Sequence, residues 1–302
     1  MASFILSIDK CTDDQDETVV IPEGVTVIGE NAFENKRRMT RVVLPEGLTE
    51  IRARAFSGCV NLEHVNFPST LKIIGKEAFR GCWRLQEADI PEGVTELPDR
   101  AFIRCRRLAR VTLPSSLRRI GMQCFRHCAD LTEVQVPDGI GQIEDGVFQD
   151  CISLTDVHLP ESVIELGNDV FSECSDLEQI GLPEELIWMG QRCFKGCRKL
   201  QGIRVPAGVR SIEEEAFMNC DALADLYLPD GLELIDRRAF KNCVKLEGDI
   251  IPDTVVSLAD DAFDMPAPTE PDDSKDDEAA VAAETNDAGG ARDEVGSANE
   301  TV

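Results

Sequence analysis

The chain has 302 residues, 42% of them hydrophobic but only 5% aromatic, so aliphatic side chains must build most of any core. Its formal charge of −26 repels nucleic acid and anionic membranes at long range, which argues against non-specific binding to either. No apolar run approaches the ~20 residues that span a bilayer, so membrane insertion is not expected.

The first residues, MASFILSIDK, lack a basic start, and their apolar stretch ends at Ser7 and Asp9. That is too short for a secretory signal, so a cytoplasmic location is expected, with the twelve cysteines mostly reduced. Phe4, Leu6 and Ile8 alternate as in a strand and are followed by acids at Asp13, Asp14, Asp16 and Glu17. Residues 1–20 therefore read as an N-terminal cap.

From there a 23-residue period governs the chain. Phenylalanines stand at 33, 56, 79, 102, 125, 148, 171, 194, 217, 240 and 263. Prolines recur at the same interval from Pro22 to Pro252, and cysteines follow the phenylalanine by three residues from Cys59 to Cys243. One copy shows the unit: Leu62, Val65, Phe67, Pro68, Leu71, Ile74, Ala78, Phe79, Cys82. Val65 and Phe67 alternate as in a strand, and Pro68, which cannot donate to a ladder, ends it. Leu71 and Ile74 fit a tight turn or a short return strand. Ala78, Phe79 and Cys82 belong to a turn. No window carries the periodicity of a long helix. One such unit buries too little apolar surface to offset the entropy of ordering it, so neighbours must share a continuous core.

This pattern resembles the BspA-like class of leucine-rich repeats, most clearly in IPEGVTVIGENAF (21–33) and LPEGLTEIRARAFSGC (44–59). The resemblance implies a leucine-rich-repeat solenoid: a right-handed, β-rich superhelix of about eleven repeats over residues 21–263, with a parallel sheet on its concave face. It implies protein-binding or adhesin roles and no enzymatic activity. Beyond Phe263 the composition changes. Residues 264–302 hold twelve acids, two bases and few large apolar groups, which predicts a disordered acidic tail.

Several residue groups invite chemistry. Zinc needs four converging ligands, usually from paired C-x-x-C spacings. None occurs, and nine cysteines share one repeat position, so they read as small core residues. Cys124 and Cys193 stand where other repeats carry Ala or Val, and Cys11 lies outside the ladder as the most accessible thiol. A metal or redox role is the least favoured reading. Hydrolase, P-loop, zincin and complete EF-hand motifs are absent, so neither catalysis nor a cofactor is expected. The acids at 13–17 and at 213–215 read as solvated loops.

The outward strand positions are more informative. They lie four and two residues before each proline and include His64, Asn66, Arg110, Glu133, Asp156, His158, Arg204 and Tyr227. They form either an ordinary wet strand face or a protein-binding face. A second feature is an arginine belt. From Arg100 to Cys128 there are eight arginines and no acid: Arg100, Arg104, Arg106, Arg107, Arg110, Arg118, Arg119 and Arg126. Stacking brings Arg80, Trp83 and Arg84 beside it, and His127 follows. The belt is a surface neutralised by acids of neighbouring repeats, a docking site for an acidic partner, or a site for the chain's own tail. Trp188 is expected on a return strand, either partly buried or as an exposed contact.

Together these features predict a monomeric, non-enzymatic scaffold that binds a protein through the strand face or the Arg/Trp belt. The alternative is a surface adhesin.

Overall fold

The computed structural model describes residues 4–6 and 17–263, apart from 249. Each 23-residue repeat closes one coil of a parallel β-solenoid, and no α-helix occurs among the described residues.

Two ladders of very short parallel strands run along the solenoid. The first passes through Thr18–Val20, Arg41–Val43, His64–Val65, Glu87–Asp89, Arg110–Thr112, Glu133–Gln135, Asp156–His158, Gly202–Arg204 and Asp225–Tyr227. Most of these bury only the middle residue, as the sequence alternation dictates. Their register follows the repeat: Arg110 pairs with Glu87 on one side and Glu133 on the other, and Glu133 pairs with Asp156. The return ladder comprises Val25–Ile28 and its counterparts through Ser257–Leu258. Ile74 thus lies on a return strand, Ile73–Ile74, that Leu71 precedes by two residues.

The third side of the coil is a turn. Phe56 N donates to Ala78 O, Phe79 N to Ala101 O and Phe102 N to Cys124 O, linking each coil to the next. Inside it the phenylalanines stack in one unbroken column from Phe33 to Phe263, with centroids 5.0–5.9 Å apart and rings nearly parallel. That spacing is the rise per coil. Leu48, Leu71, Val94, Leu117 and Ile140 complete the same core and are fully buried.

The cysteine column has a structural role that composition alone did not indicate. Cys59 Sγ donates to Phe33 O at 3.0 Å, and Cys82, Cys105, Cys128, Cys151, Cys174, Cys197, Cys220 and Cys243 repeat the bond to the phenylalanine 26 residues earlier. Each thiol supplies a second donor to a buried carbonyl that already accepts one backbone N–H. Burial pushes the Cys59 thiol up to about 12 and raises Cys82, Cys105 and Cys128 as well. These sulfurs are neutral donors, and among the described residues no group of acids, histidines or cysteines converges to hold a metal.

The turn also bends the backbone into the left-handed region twice per coil. Among the described residues, the sixteen non-glycine residues with positive φ fall in two columns, each with a step of 23 residues: one runs from Asn31 through Arg54, Glu77 and Arg100 to Arg238, the other from Asn35 through Arg104 and His127 to Asn242.

At the N-terminal end Phe4–Leu6 pairs with Val25–Ile28 and extends the return ladder. Asp13, Asp14, Asp16 and Cys11 lie outside the described residues, as does the acidic tail at 264–302. At the far end Val256, Leu258 and Phe263 are exposed among the described residues.

Candidate binding surfaces

The strand face carries the predicted residues in register. Arg110, Glu133 and Asp156 are cross-strand neighbours, and Arg204 pairs with Tyr227. Much of this face is internally neutralised. Arg110 binds Glu87, Thr112 donates to Asp89 at 2.7 Å, and His158 lies 3.4 Å from Asp156. His64 pairs in register with Arg41. Asn66 is exposed, but its amide is already used: Oδ1 accepts from Leu44 N at 2.7 Å and Nδ2 donates to Leu44 O at 2.9 Å. It replaces a ladder partner, and the strand ends one residue earlier at Val65.

The face changes character at Gln179–Gly181. Here the ladder shrinks to a single bridge between Gln179 and Gly202. Two outward positions, Gly181 and Gly202, have no side chain, which opens a depression of about 730 Å3. Ile180, Ile203 and Leu226 form its floor, and Gln179, Asp225, Arg204 and Tyr227 its walls. The Arg204 guanidinium lies 4.0 Å from the Tyr227 ring centroid, and Tyr227 is 43% exposed. This stacking holds two long side chains upright at the rim. Gly181 and Gly202 lie two and four residues before prolines, as outward face positions do, and their missing side chains make the notch.

The arginine belt divides on folding, because acids from adjacent coils reach most of it. Arg119 binds Glu96, Asp99 and Glu144. Arg126 lies 3.3 Å from Asp150, and Arg118 donates to the carbonyls of Ser115 and Leu117. Arg100 donates to Gln123 at 2.9 Å and lies 3.9 Å from Glu77. It belongs to a column of alternating charge at the first left-handed position, where Arg54 binds Glu77 at 3.0 Å, Arg192 binds Asp169 at 2.8 Å and Arg238 binds Glu215 at 2.8 Å. The acids at 213–215 are therefore not a solvated loop: Glu215 also binds Lys195 at 2.8 Å, and Glu214 binds Arg237 at 3.3 Å.

What remains of the belt is a ridge beside the first ladder. Arg104, Arg106 and Arg107 are exposed and make no ion pair with a described residue. Arg106 sits 5.2 Å over the ring of Trp83, which is 37% exposed, and Arg84 lies 3.3 Å from Glu63. Burial and the guanidinium groups of Arg126, Arg104 and Arg106 hold His127 below its usual pKa, against the pull of Asp150. The reading in which the chain's own tail covers this ridge concerns residues outside those described. Trp188, on the return strand Trp188–Met189, is 41% exposed beside Ile164 and Ile187.

A stack of 23-residue coils with a leucine, proline and phenylalanine core defines a leucine-rich-repeat solenoid. The family described as BspA type leucine-rich repeat region (6 copies) matches residues 12–132 and 141–266, and the chain belongs to that family. A leucine-rich repeat protein of Bacteroides ovatus is similar at 30% identity with a TM-score of 0.68, covering 83% of this chain and 72% of that one. The Treponema pallidum leucine-rich repeat protein shows 31% identity and a TM-score of 0.51, covering 53% of this chain and 78% of that one. A leucine-rich repeat protein of Eubacterium ventriosum, at 19% identity and a TM-score of 0.52, shares the fold, covering 90% and 89%. No curated protein matches the chain.

Proposed function

We propose that this protein is a non-catalytic scaffold that binds a protein partner through the strand face of its solenoid, with the notch at Gly181 and Gly202 as the anchor point. The observation that carries this reading is an apolar floor of Ile180, Ile203 and Leu226, rimmed by Arg204 stacked on the exposed Tyr227. A partner's apolar side chain fits the floor, while Arg204 and Gln179 meet its polar backbone. Arginine and tyrosine are among the residue types that dominate binding energy at protein interfaces. The rigid ladder on either side removes most of the ordering cost of association.

The substitution Gly181→Tyr tests this reading. A Cβ at Gly181 meets nothing within 4 Å, so the new side chain fills the notch without disturbing the coil. Immobilised full-length protein should retain, from extract of the cells that express it, a partner that Gly181→Tyr and Tyr227→Ala both lose. Identical retention by all three proteins sinks the assignment of the notch.

A further inference from the structure

A second surface lies on a different edge of the coil, at the turn leading into the first ladder. The same repeat position is held by Arg38, Asn61, Arg84 and Arg107 in successive coils, and the position before it by Arg37, Val60, Trp83 and Arg106. Backbone bonds fix these columns: Arg107 N donates to Trp83 O at 3.0 Å and Asp130 N to Arg106 O at 2.9 Å. The coils rise 5.1–5.3 Å here, so the basic edge from Arg38 to Arg107 extends over about 16 Å. Its N-terminal part is a depression of about 450 Å3 lined by Glu17, Arg37, Arg38, Thr40, Asn61 and Arg84.

Three observations make this edge more than a solvated charged face. The chain carries 57 acids against 31 lysines and arginines, yet Arg104, Arg106 and Arg107 form no ion pair with a described residue, although Asp130 holds the repeat position of Arg107 in the next coil. Arg104 also stands at a left-handed position, with φ of 62°, where Gly58, Gly81 and Gly196 occupy other coils. Asn35, His127, Asp150, Glu173, Asn219 and Asn242 hold the position in the remaining coils, so Arg104 is its only cation of fixed charge among the described residues. Finally, the Arg106 guanidinium lies 5.2 Å from the ring centroid of exposed Trp83, a cation–π contact that uses none of its N–H donors.

We propose that Arg84, Arg104, Arg106 and Arg107, with Trp83, form a docking ridge for an extended Asp/Glu-rich segment of a protein partner. Guanidinium groups bind carboxylates through paired N–H donors, and the ridge spans the one coil step from Arg84 to Arg107, 5.3 Å at the neighbouring phenylalanines, so about two to three residues of an extended chain cover it. The charge of −26 discriminates against nucleic acid, whose long polyanion meets the surrounding acids, whereas a short acidic peptide meets only the ridge. This inference rests on reading the chain as a protein-binding scaffold, but it uses a surface separate from the notch.

The test is fluorescence anisotropy of a labelled, end-blocked hexaglutamate peptide with the full-length chain, at about 20 mM and about 200 mM salt. Binding is expected at low salt and should weaken about ten-fold or more at the higher salt. Arg106→Gln with Arg107→Gln should weaken it about ten-fold, and Arg104→Gly about three-fold without loss of fold. Arg237→Gln removes the same charge from a residue paired with Glu214 and should change affinity less than about two-fold. Gly181→Tyr should bind the peptide as the parent does, which separates failure of the ridge from failure of the notch. No binding at low salt, equal loss in Arg237→Gln, or tighter binding of a single-stranded oligonucleotide of the same charge would overturn the proposal.

Discussion

Arg104 and Gly81 occupy the same position in consecutive coils, and both adopt the left-handed backbone conformation, with φ of 62° and 70°. For glycine this costs nothing sterically, while a residue with a Cβ gives up about 1–2 kcal/mol there. Arg104→Gly relieves that strain but adds unfolded-state entropy worth about 0.4–1 kcal/mol. The expected result is a chain as stable as the parent or slightly more so, by about 0.5 kcal/mol, checked by thermal unfolding. A drop of more than about 1 kcal/mol would mean that the Arg104 side chain stabilises the fold itself.

His127, one coil further along the column, links the same geometry to pH. Its folded pKa is held below the ordinary 6.5, so the unfolded chain takes up this proton first as pH falls. The stabilising contribution is complete above 6.5 and declines as pH drops from there toward the lowered value. His127→Asn places at this site a residue that the column already carries at Asn35, Asn219 and Asn242. Melting curves between about pH 7 and about pH 5.5 should show a flatter dependence for the variant. An identical slope would show that His127 does not set it.

The phenylalanine column predicts a stability gradient along the solenoid. Phe148 is fully buried between Phe125 and Phe171, at 5.9 and 5.7 Å, so Phe148→Ala should cost about 3–5 kcal/mol. Among the described residues Phe263 stacks on one ring, Phe240, and it is 37% exposed, so Phe263→Ala should cost about 1 kcal/mol. In a one-dimensional array the central variant should also divide denaturant unfolding into two steps.

Thiol chemistry separates the structural reading of the cysteines from a reactive one. The eleven described cysteines are all buried, and burial raises the pKa of most of them. At about pH 8 they should resist iodoacetamide in the native protein and react fully in denaturant, as followed by mass spectrometry. Cys105→Ala, which removes the 3.2 Å bond to Phe79 O, should cost about 1–2 kcal/mol, and native alkylation of Cys105 would overturn its role.

Filling the notch also bears on stability. A Cβ at Gly181 meets nothing within 4 Å and the backbone there is not left-handed, so replacing the glycine mainly reduces unfolded-state entropy and Gly181→Tyr should melt no lower than the parent. A lower melting temperature would mean that the open backbone at Gly181 is needed by the coil rather than by a partner.

The period of 23, the proline that ends each strand and the buried phenylalanine column are local consequences of sequence. Each repeat meets copies of itself, so one motif determines both the coil and its neighbours' contacts. The strand-face residues His64, Arg110, Glu133, Asp156, His158, Arg204 and Tyr227 were legible for the same reason, since alternation alone assigns them outward. Charge pairing was not legible, because it depends on side chains about 23 residues apart that meet only after stacking. Stacking therefore removed Arg100, Arg110, Arg119 and Arg126 from the free belt and left Arg104, Arg106 and Arg107 in it. The left-handed columns, the thiol-to-carbonyl bonds and the notch at Gly181 likewise belong to the tertiary structure. They arise from backbone conformation and from the space between coils, which the order of residues along one repeat does not contain.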